Sequence, residues 1–315
     1  MKEMKAILVG LGEAGFGWYR IVQRFGKLSL AVVDTNIAMK DKLAAYSVEA
    51  APPFYTSLEK AIQKEKPQFI INVTPPHIHA AVNKAAFQHC LPVLSEKPIS
   101  YNYYESVQIT AIAEQCSVPF MIAENYRNQA RMRKLKNWLD EGTIGKLKAV
   151  HIEFGRNGLE GRTYDVRLLH DIVVHHMDLL RFLTGQEGLK VFAEKPLDNE
   201  HIHIIVELSG DISAVYTARV HAKAKETPWH GYWTLEGDGG TVSLGADGLI
   251  LKASGKETVK VNDFTDIQHP NCLEQFVNFL QGGPVPETMA YEYLKTEALV
   301  YGAERSAEQG KWVAI

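Results

Sequence analysis

Residues 5–18, KAILVGLGEAGFGW, decide the fold class. The apolar run after Lys5 is short and continuous, as in an inner strand of a parallel sheet. Gly10, Gly12 and Gly15 follow it with the spacing G-x-G-x-x-G and open a stretch whose pattern predicts a helix over about 13–25. Gly10 permits a tight turn, Gly12 lets the backbone approach a pyrophosphate, and Gly15 lets the helix lie close on the strand. The helix start, with Glu13 and Ala14 in its first turn, turns amide N–H groups and partial positive charge toward phosphates. Asp34 stands nineteen residues beyond Gly15, at the end of the next apolar run, LSLAVVD, where a carboxylate accepts ribose hydroxyls. That carboxylate repels a 2′-phosphate, and Thr35 and Asn36 bring no base, so the pattern favours NAD over NADP.

The same alternation continues outward. The runs QFIINVT, LPVLSE and VPFMIAE are separated by helical patterns at about 37–46, 57–65, 76–90 and 101–116. Such repetition predicts βαβ units and a doubly wound parallel sheet, a Rossmann domain over residues 1–124. The texture changes past the linker near 124–128. A helix is expected at 128–140, a strand in KLKAVHIEFG and another helix at 168–185. From 189 to 261, strand-like runs are punctuated by LSGD, EGDGG and GADG, which mark the hairpins of an antiparallel sheet with helices on one face. Helices at about 271–281 and 288–308 follow. The expectation is an α/β protein whose second domain, 125–315, is α+β, with terminal helices (about 271–310) packing back toward the Rossmann domain.

Composition removes several classes of function. The chain has 315 residues, 46% hydrophobic and 23% charged, with a net charge of −3. Nothing there suits nucleic acid or an anionic membrane surface. No stretch approaches the run of about 18 apolar residues that a membrane span needs. Cys90, Cys116 and Cys272 lie far apart with no C-x-x-C, and the N-terminal apolar run is too short for a secretion signal, so a cytoplasmic protein is expected.

PVLSEKP, residues 92–98, places Glu96, Lys97 and Pro98 at the carboxyl end of a predicted parallel strand, the edge where open sheets bind ligands. A lysine there can polarise a carbonyl or move a proton, although a surface lysine is the commoner case. VGLGEAG, VTPPHIHA, SEKPIS and AENYRN, followed by residues 168–185, resemble in order and spacing the glucose-fructose oxidoreductase, inositol dehydrogenase and MocA (GFO/IDH/MocA) family. The likeness runs to the terminal stretches CLEQFVNFLQGG and LKTEALVYGAERSAEQGKWV. It implies a Rossmann domain followed by a domain on a large, mostly antiparallel sheet, acting on sugars and polyols with bound NAD or NADP. It implies that Lys97 is catalytic and touches the substrate. It also implies that Asn72, Thr74, Pro75, His79 and Glu96 lie by the cofactor, although the family's T-P-N turn here reads Thr74-Pro75-Pro76. A homodimer or homotetramer through the second sheet is expected on the same grounds.

LLHDIVVHHMDLLRFLTG, residues 168–185, holds three histidines and two aspartates in nine residues. At about 100° per residue, Asp171, His175 and Asp178 share a face within about 60°, while His176 points among Leu169, Ile172, Val173, Met177, Leu180 and Leu183. A metal site is disfavoured, because only one histidine lies on that face and hydride transfer to NAD needs no metal. The resemblance implies that His175 is the general base, a role suited to a side chain whose unperturbed pKa is about 6.5. Asp171 would hold the imidazole or the lysine, or bind a neighbouring substrate hydroxyl, and Asp178 reads as structural. Tyr126 and Arg127, with Arg156, Asn157, Tyr164 and Asp165 of the polar loop 154–167, are candidate substrate contacts. The expected activity is an NAD-dependent dehydrogenase of a sugar, polyol or cyclic diol. Two alternatives stay open: an NAD-dependent glycosidase of the same fold, and a catalytically silent sensor of dinucleotide or sugar.

Overall fold

In the computed structural model, which describes residues 4–47, 50–157, 168–194, 201–220 and 225–315, strands and helices alternate from the start. They are β1 (Met4–Val9), α1 (Glu13–Phe25), β2 (Leu28–Val33), α2 (Met39–Tyr46), β3 (Phe54–Tyr55), α3 (Leu58–Glu65), β4 (Phe69–Asn72), α4 (Pro76–Gln88), β5 (Val93–Ser95), α5 (Tyr103–Gln115) and β6 (Phe120–Ile122). The six strands make one parallel sheet in the order β3-β2-β1-β4-β5-β6. The order reverses between β1 and β4, which opens the crevice where such sheets take ligands. Ala6, Ile7 and Leu8 in β1 and Phe69, Ile70 and Ile71 in β4 are wholly buried. Both faces are covered, so these strands read as continuous apolar runs. Two helix starts have side-chain caps, Ser57 for α3 and Asn102 for α5. β3, an edge strand paired with β2, is too short at two residues to show any periodicity in the sequence.

The second half begins with a turn of 3-10 helix at Tyr126–Asn128, α6 (Ala130–Asp140) and β7 (Leu147–Arg156). Residues 168–185 depart from the single α-helix expected of them. Leu169–Val173 form a π-helical turn, and only then does α7 (Val174–Thr184) begin. A π turn takes up one more residue than an α turn, so the uniform 100° spacing does not hold between Asp171 and His175. There follow β8 (Gly188–Ala193), β9 (His201–Leu208), β10 (Ile212–Val220), β11 (Tyr232–Gly237), β12 (Gly240–Gly245), β13 (Gly248–Ala253), β14 (Val259–Val261), α8 (Cys272–Leu280), α9 (Ala290–Gln309) and β15 (Val313–Ala314). The nine strands are ordered β14-β13-β12-β11-β7-β10-β9-β8-β15, antiparallel throughout except for the pair β7 and β10. Along β9 and β10, buried residues alternate with more open ones, so one face of the sheet is packed and the other is not.

The chain forms two units. Residues up to Glu124 join Pro270–Leu294 in the first, and Asn125–His269 join Lys295–Ile315 in the second. Residues 270–294 thus return to the first unit, and packing gives the reason. Leu273 and Phe276 of α8 are fully buried in the core of the first unit, with the Phe276 ring 5.7 Å from that of Phe69. Each such burial stabilises the fold by about 2 kcal/mol. A capping box between Asn271 and Glu274 starts α8 where this packing requires it. α9 contributes only its first turn to the first unit.

Candidate active site

In the first unit, Gly10 has φ +99°, and a Cβ there would lie 2.8 Å from the carbonyl oxygen of Val73. A Cβ on Gly15 would overlap the carbonyl of Gly10, so this glycine sets the distance between α1 and β1. Gly12 is different: it has an ordinary φ of −67°, and nothing lies within 4 Å of the Cβ position. No side chain caps α1, whose first turn holds the exposed Glu13 and Ala14. Asp34 is fixed beside this opening. Its Oδ2 accepts from Leu11 N at 2.7 Å and its Oδ1 from Asn36 N at 2.8 Å. A carboxylate has about four acceptor positions, so two remain for a ribose diol. Open space at Gly12, an uncapped helix start and an anchored carboxylate fit a dinucleotide. Gly12→Val is expected to leave the melting temperature nearly unchanged while weakening NAD binding by on the order of tenfold or more, since only the approach to the pyrophosphate is filled. Gly15→Val should instead lower the melting temperature. Calorimetric titration with NAD, read beside thermal melts, checks both, and an equal loss of stability in the two variants would contradict these roles.

The remaining residues of this unit mostly brace one another. Asn72 is fully buried. Its Nδ2 donates to His79 O and Asn83 Oδ1, and its Oδ1 accepts from the N and Oγ1 of Thr74. His79 is also buried, with Nδ1 2.7 Å from Pro98 O and Nε2 2.7 Å from Thr74 O. Burial lowers its pKa, while the two carbonyls and Glu96 act in the opposite sense. The polar side-chain atoms of Asn72 and His79 are thus engaged within the protein. Thr74 and Pro75 are held in the turn they support, with Pro75 exposed. Glu96 is also bound internally: Oε1 accepts from Trp18 Nε1 at 2.7 Å and Oε2 from Lys97 N at 3.2 Å. Lys97 is half-buried, and its bond to Pro98 is cis. Trp18 was not among the expected residues, although its place one helical turn after Gly15 could have been read from the spacing.

In the second unit the two adjacent histidines of α7 separate. His176 is fully buried, with Nδ1 2.9 Å from the Tyr216 hydroxyl and Nε2 3.0 Å from Trp229 O. Burial raises the pKa of Tyr216, so the phenol stays neutral. The His175 ring is stacked on Tyr126, centroids 4.2 Å apart and planes 3° from parallel. Tyr126, expected to line a substrate pocket, thus fixes the plane of this imidazole. Asp171 is partly buried in the π turn.

Arg127 is held within its own unit. Its Nε lies 2.5 Å from Asp178 Oδ2 and its Nη2 2.6 Å from Oδ1, with Asp178 wholly buried. Thr296 Oγ1 donates to Asp178 and accepts from Arg181, whose fork holds Glu187. The polar stripe of α7 therefore faces buried partners and not solvent, because a buried carboxylate needs a countercharge. Arg156 lies over the Trp229 ring, 4.2 Å from its centre, and Asn157 is exposed just beyond β7. His230, next to Trp229, is kept neutral: burial above all, then the charge of Arg131, lowers its pKa to about 4. Tyr164 and Asp165 lie outside the described residues. Lys97 belongs to the first unit, whereas Asp171 and His175 belong to the second.

Two family models match. One, an oxidoreductase family with an NAD-binding Rossmann fold, covers residues 4–124, and the other, a GFO/IDH/MocA C-terminal domain, covers 132–243. Inositol 2-dehydrogenase 2 of Mycolicibacterium vanbaalenii is 24% identical over 269 residues, which is 81% of this chain and 76% of that protein. D-apiose dehydrogenase of Rhizobium rhizogenes is 23% identical over 274 residues, 78% of this chain and 79% of its own. An oxidoreductase from Agrobacterium radiobacter, solved with NAD+, L-tartaric acid and magnesium, superposes with a TM-score of 0.86 at 19% identity, covering 99% of this chain and 98% of its own. The WlbA dehydrogenase from Bordetella pertussis, solved with NADH and UDP-GlcNAcA, gives 0.83 at 20% identity, covering 100% and 99%.

Proposed function

The chain belongs to the GFO/IDH/MocA family of NAD-binding oxidoreductases, and from that premise we propose that it is a dehydrogenase of a secondary hydroxyl on a sugar, polyol or cyclic diol, with NAD preferred to NADP. The observation that carries the reading is the opening at Gly12 on the uncapped end of α1, with Asp34 fixed beside it. When bound there, NAD supplies the hydride acceptor, and reduced NAD the donor. His175 removes the hydroxyl proton, its ring plane set by Tyr126. The Lys97 ammonium stabilises the negative charge that develops on that oxygen. Asp171 orients one of these two groups or binds a neighbouring hydroxyl. Assembly as a homodimer or homotetramer through the open face of the second sheet belongs to the same reading. So does a cytoplasmic location, which the three free cysteines support. Among the described residues no helix is long and apolar enough to cross a membrane.

The test is a panel of sugars, polyols and sugar acids with NAD and with NADP, following reduced nicotinamide. NAD-dependent turnover on at least one compound is expected. Asp34 should disfavour NADP by about tenfold or more in kcat/KM. Tight NAD binding with no turnover on any compound would overturn the dehydrogenase reading in favour of a glycosidase or a sensor.

A further inference from the structure

We propose that Arg156 and Trp229 form a substrate subsite for a carboxylate, so that the preferred substrate is a sugar acid or related hydroxy acid and not a neutral polyol. The proposal rests on the dehydrogenase reading only in calling the ligand a substrate.

Arg156 ends β7, and Trp229, 41% exposed, presents an indole beside a buried aromatic cluster. The segment bearing Trp229 is firmly braced. Thr227 N donates to Gly155 O at 2.9 Å, Gly155 N donates to Thr227 Oγ1 at 3.2 Å, and the His176 ring meets Trp229 O at 3.0 Å. The platform is joined to His175 through rings of one unit. Trp229 lies 6.2 Å from Phe154, Phe154 lies 5.2 Å from His176, and Tyr126 lies 6.2 Å from His176 while stacking on His175. An exposed indole held this rigidly offers an apolar wall for the C–H face of a sugar.

The charge on the platform is held but not saturated. Arg127 and Arg181 each grip a carboxylate with two bonds. Among the described residues the carboxylate that meets Arg156 is that of the half-exposed Glu226, with a longer contact of 3.5 Å from Nη1 to Oε2. The buried Nε of Arg156 has no hydrogen-bond partner among the described residues. Stacking on an indole fixes a guanidinium by its face and leaves its N–H edge to bind, and a planar carboxylate matches that edge with two parallel bonds. The Glu226 carboxylate already approaches this edge. A ligand carboxylate would replace a weak, solvent-exposed contact, so the exchange loses little. A phosphate, with nearly two charges, would be repelled by Glu226 more strongly than a carboxylate.

The experiment compares a hexuronate, a hexose 6-phosphate and the parent hexose. Turnover is measured with saturating NAD, and hexuronate binding to the NADH-loaded protein by calorimetry, in wild type, Arg156→Met and Glu226→Gln. The hexuronate should be preferred. Arg156→Met should raise its KM and Kd by on the order of tenfold to a hundredfold, and those for the hexose by a clearly smaller factor, and Glu226→Gln should lower the hexuronate values. The opposite signs of the two variants guard against a mere folding defect in one. Equal or better use of the hexose, a preference for the phosphate, or a hexuronate affinity indifferent to both variants would overturn the subsite while leaving the dehydrogenase reading intact. Arg156-dependent hexuronate binding with no turnover of these or of any compound in the wider panel would uphold the subsite and overturn the dehydrogenase reading. No hexuronate binding and no turnover anywhere in that panel would overturn both.

Discussion

His175→Ala is expected to lower kcat by about two to four orders of magnitude while lowering the melting temperature less than the corresponding change at His176. The proposed chemistry needs one group to take the hydroxyl proton as hydride leaves the carbon. His175, like its neighbour, is buried, but its ring is stacked on Tyr126, whereas both ring nitrogens of His176 meet Tyr216 and the carbonyl of Trp229 in the core. His176→Ala should behave in the opposite way. It removes a ring whose two nitrogens meet Tyr216 and Trp229, and it leaves a fully buried phenol hydroxyl without that partner. A stability loss of about 2–4 kcal/mol follows from the cavity and the lost hydrogen bond together. Steady-state rates and thermal melts on the two variants check the assignment. A large rate loss in His176→Ala with an unimpaired His175→Ala would reverse the roles given to the two side chains.

The second large effect lies away from the chemistry. Arg127→Met is expected to destabilise the protein by about 3–5 kcal/mol, because it strands the Asp178 carboxylate at a site with no solvent exposure. Thr296 gives that carboxylate one hydrogen bond, which cannot replace a bidentate guanidinium. Replacing both partners, Arg127→Met with Asp178→Leu, removes the stranded charge and should recover more than half of the loss. Thermal melts of the single and double variants decide it. A double variant as unstable as Arg127→Met alone would mean that packing, and not charge, sets the cost.

The sequence shows the first sheet plainly, because its information is local. One strand, three glycines and an acidic residue are enough to expect the crevice between β1 and β4. That the adjacent rings of His175 and His176 meet different partners follows from helical spacing, although both are buried. Beyond that, the pattern of polarity is ambiguous. Asp178 reads as structural without any named partner, and its partners arrive from Arg127 and Thr296, because no local periodicity reports whether a polar face meets water or an ion. The π turn before α7 is hidden for a related reason, as a single additional residue in one turn leaves no mark on composition. The same is true of Trp229, whose pairing with Arg156 depends on a hairpin-rich sheet bringing two distant segments side by side. Asn72, His79 and Glu96 are polar residues in a known motif, and only the geometry shows that the first two bind neighbouring backbone carbonyls and that Glu96 binds Trp18 and the Lys97 amide.

The return of α8 to the first unit has a consequence for how the chain is made. A ribosome releases the six strands of the Rossmann sheet early, but Leu273 and Phe276, which close its core, emerge some 150 residues later. At ordinary elongation rates of about 5–20 residues per second, that delay is on the order of ten seconds. During it the surface around Phe69 that α8 will cover remains uncovered, which exposes the nascent protein to misassembly. Biosynthesis therefore gives the sheet no vectorial advantage: its maturation waits until the chain has been read past Phe276.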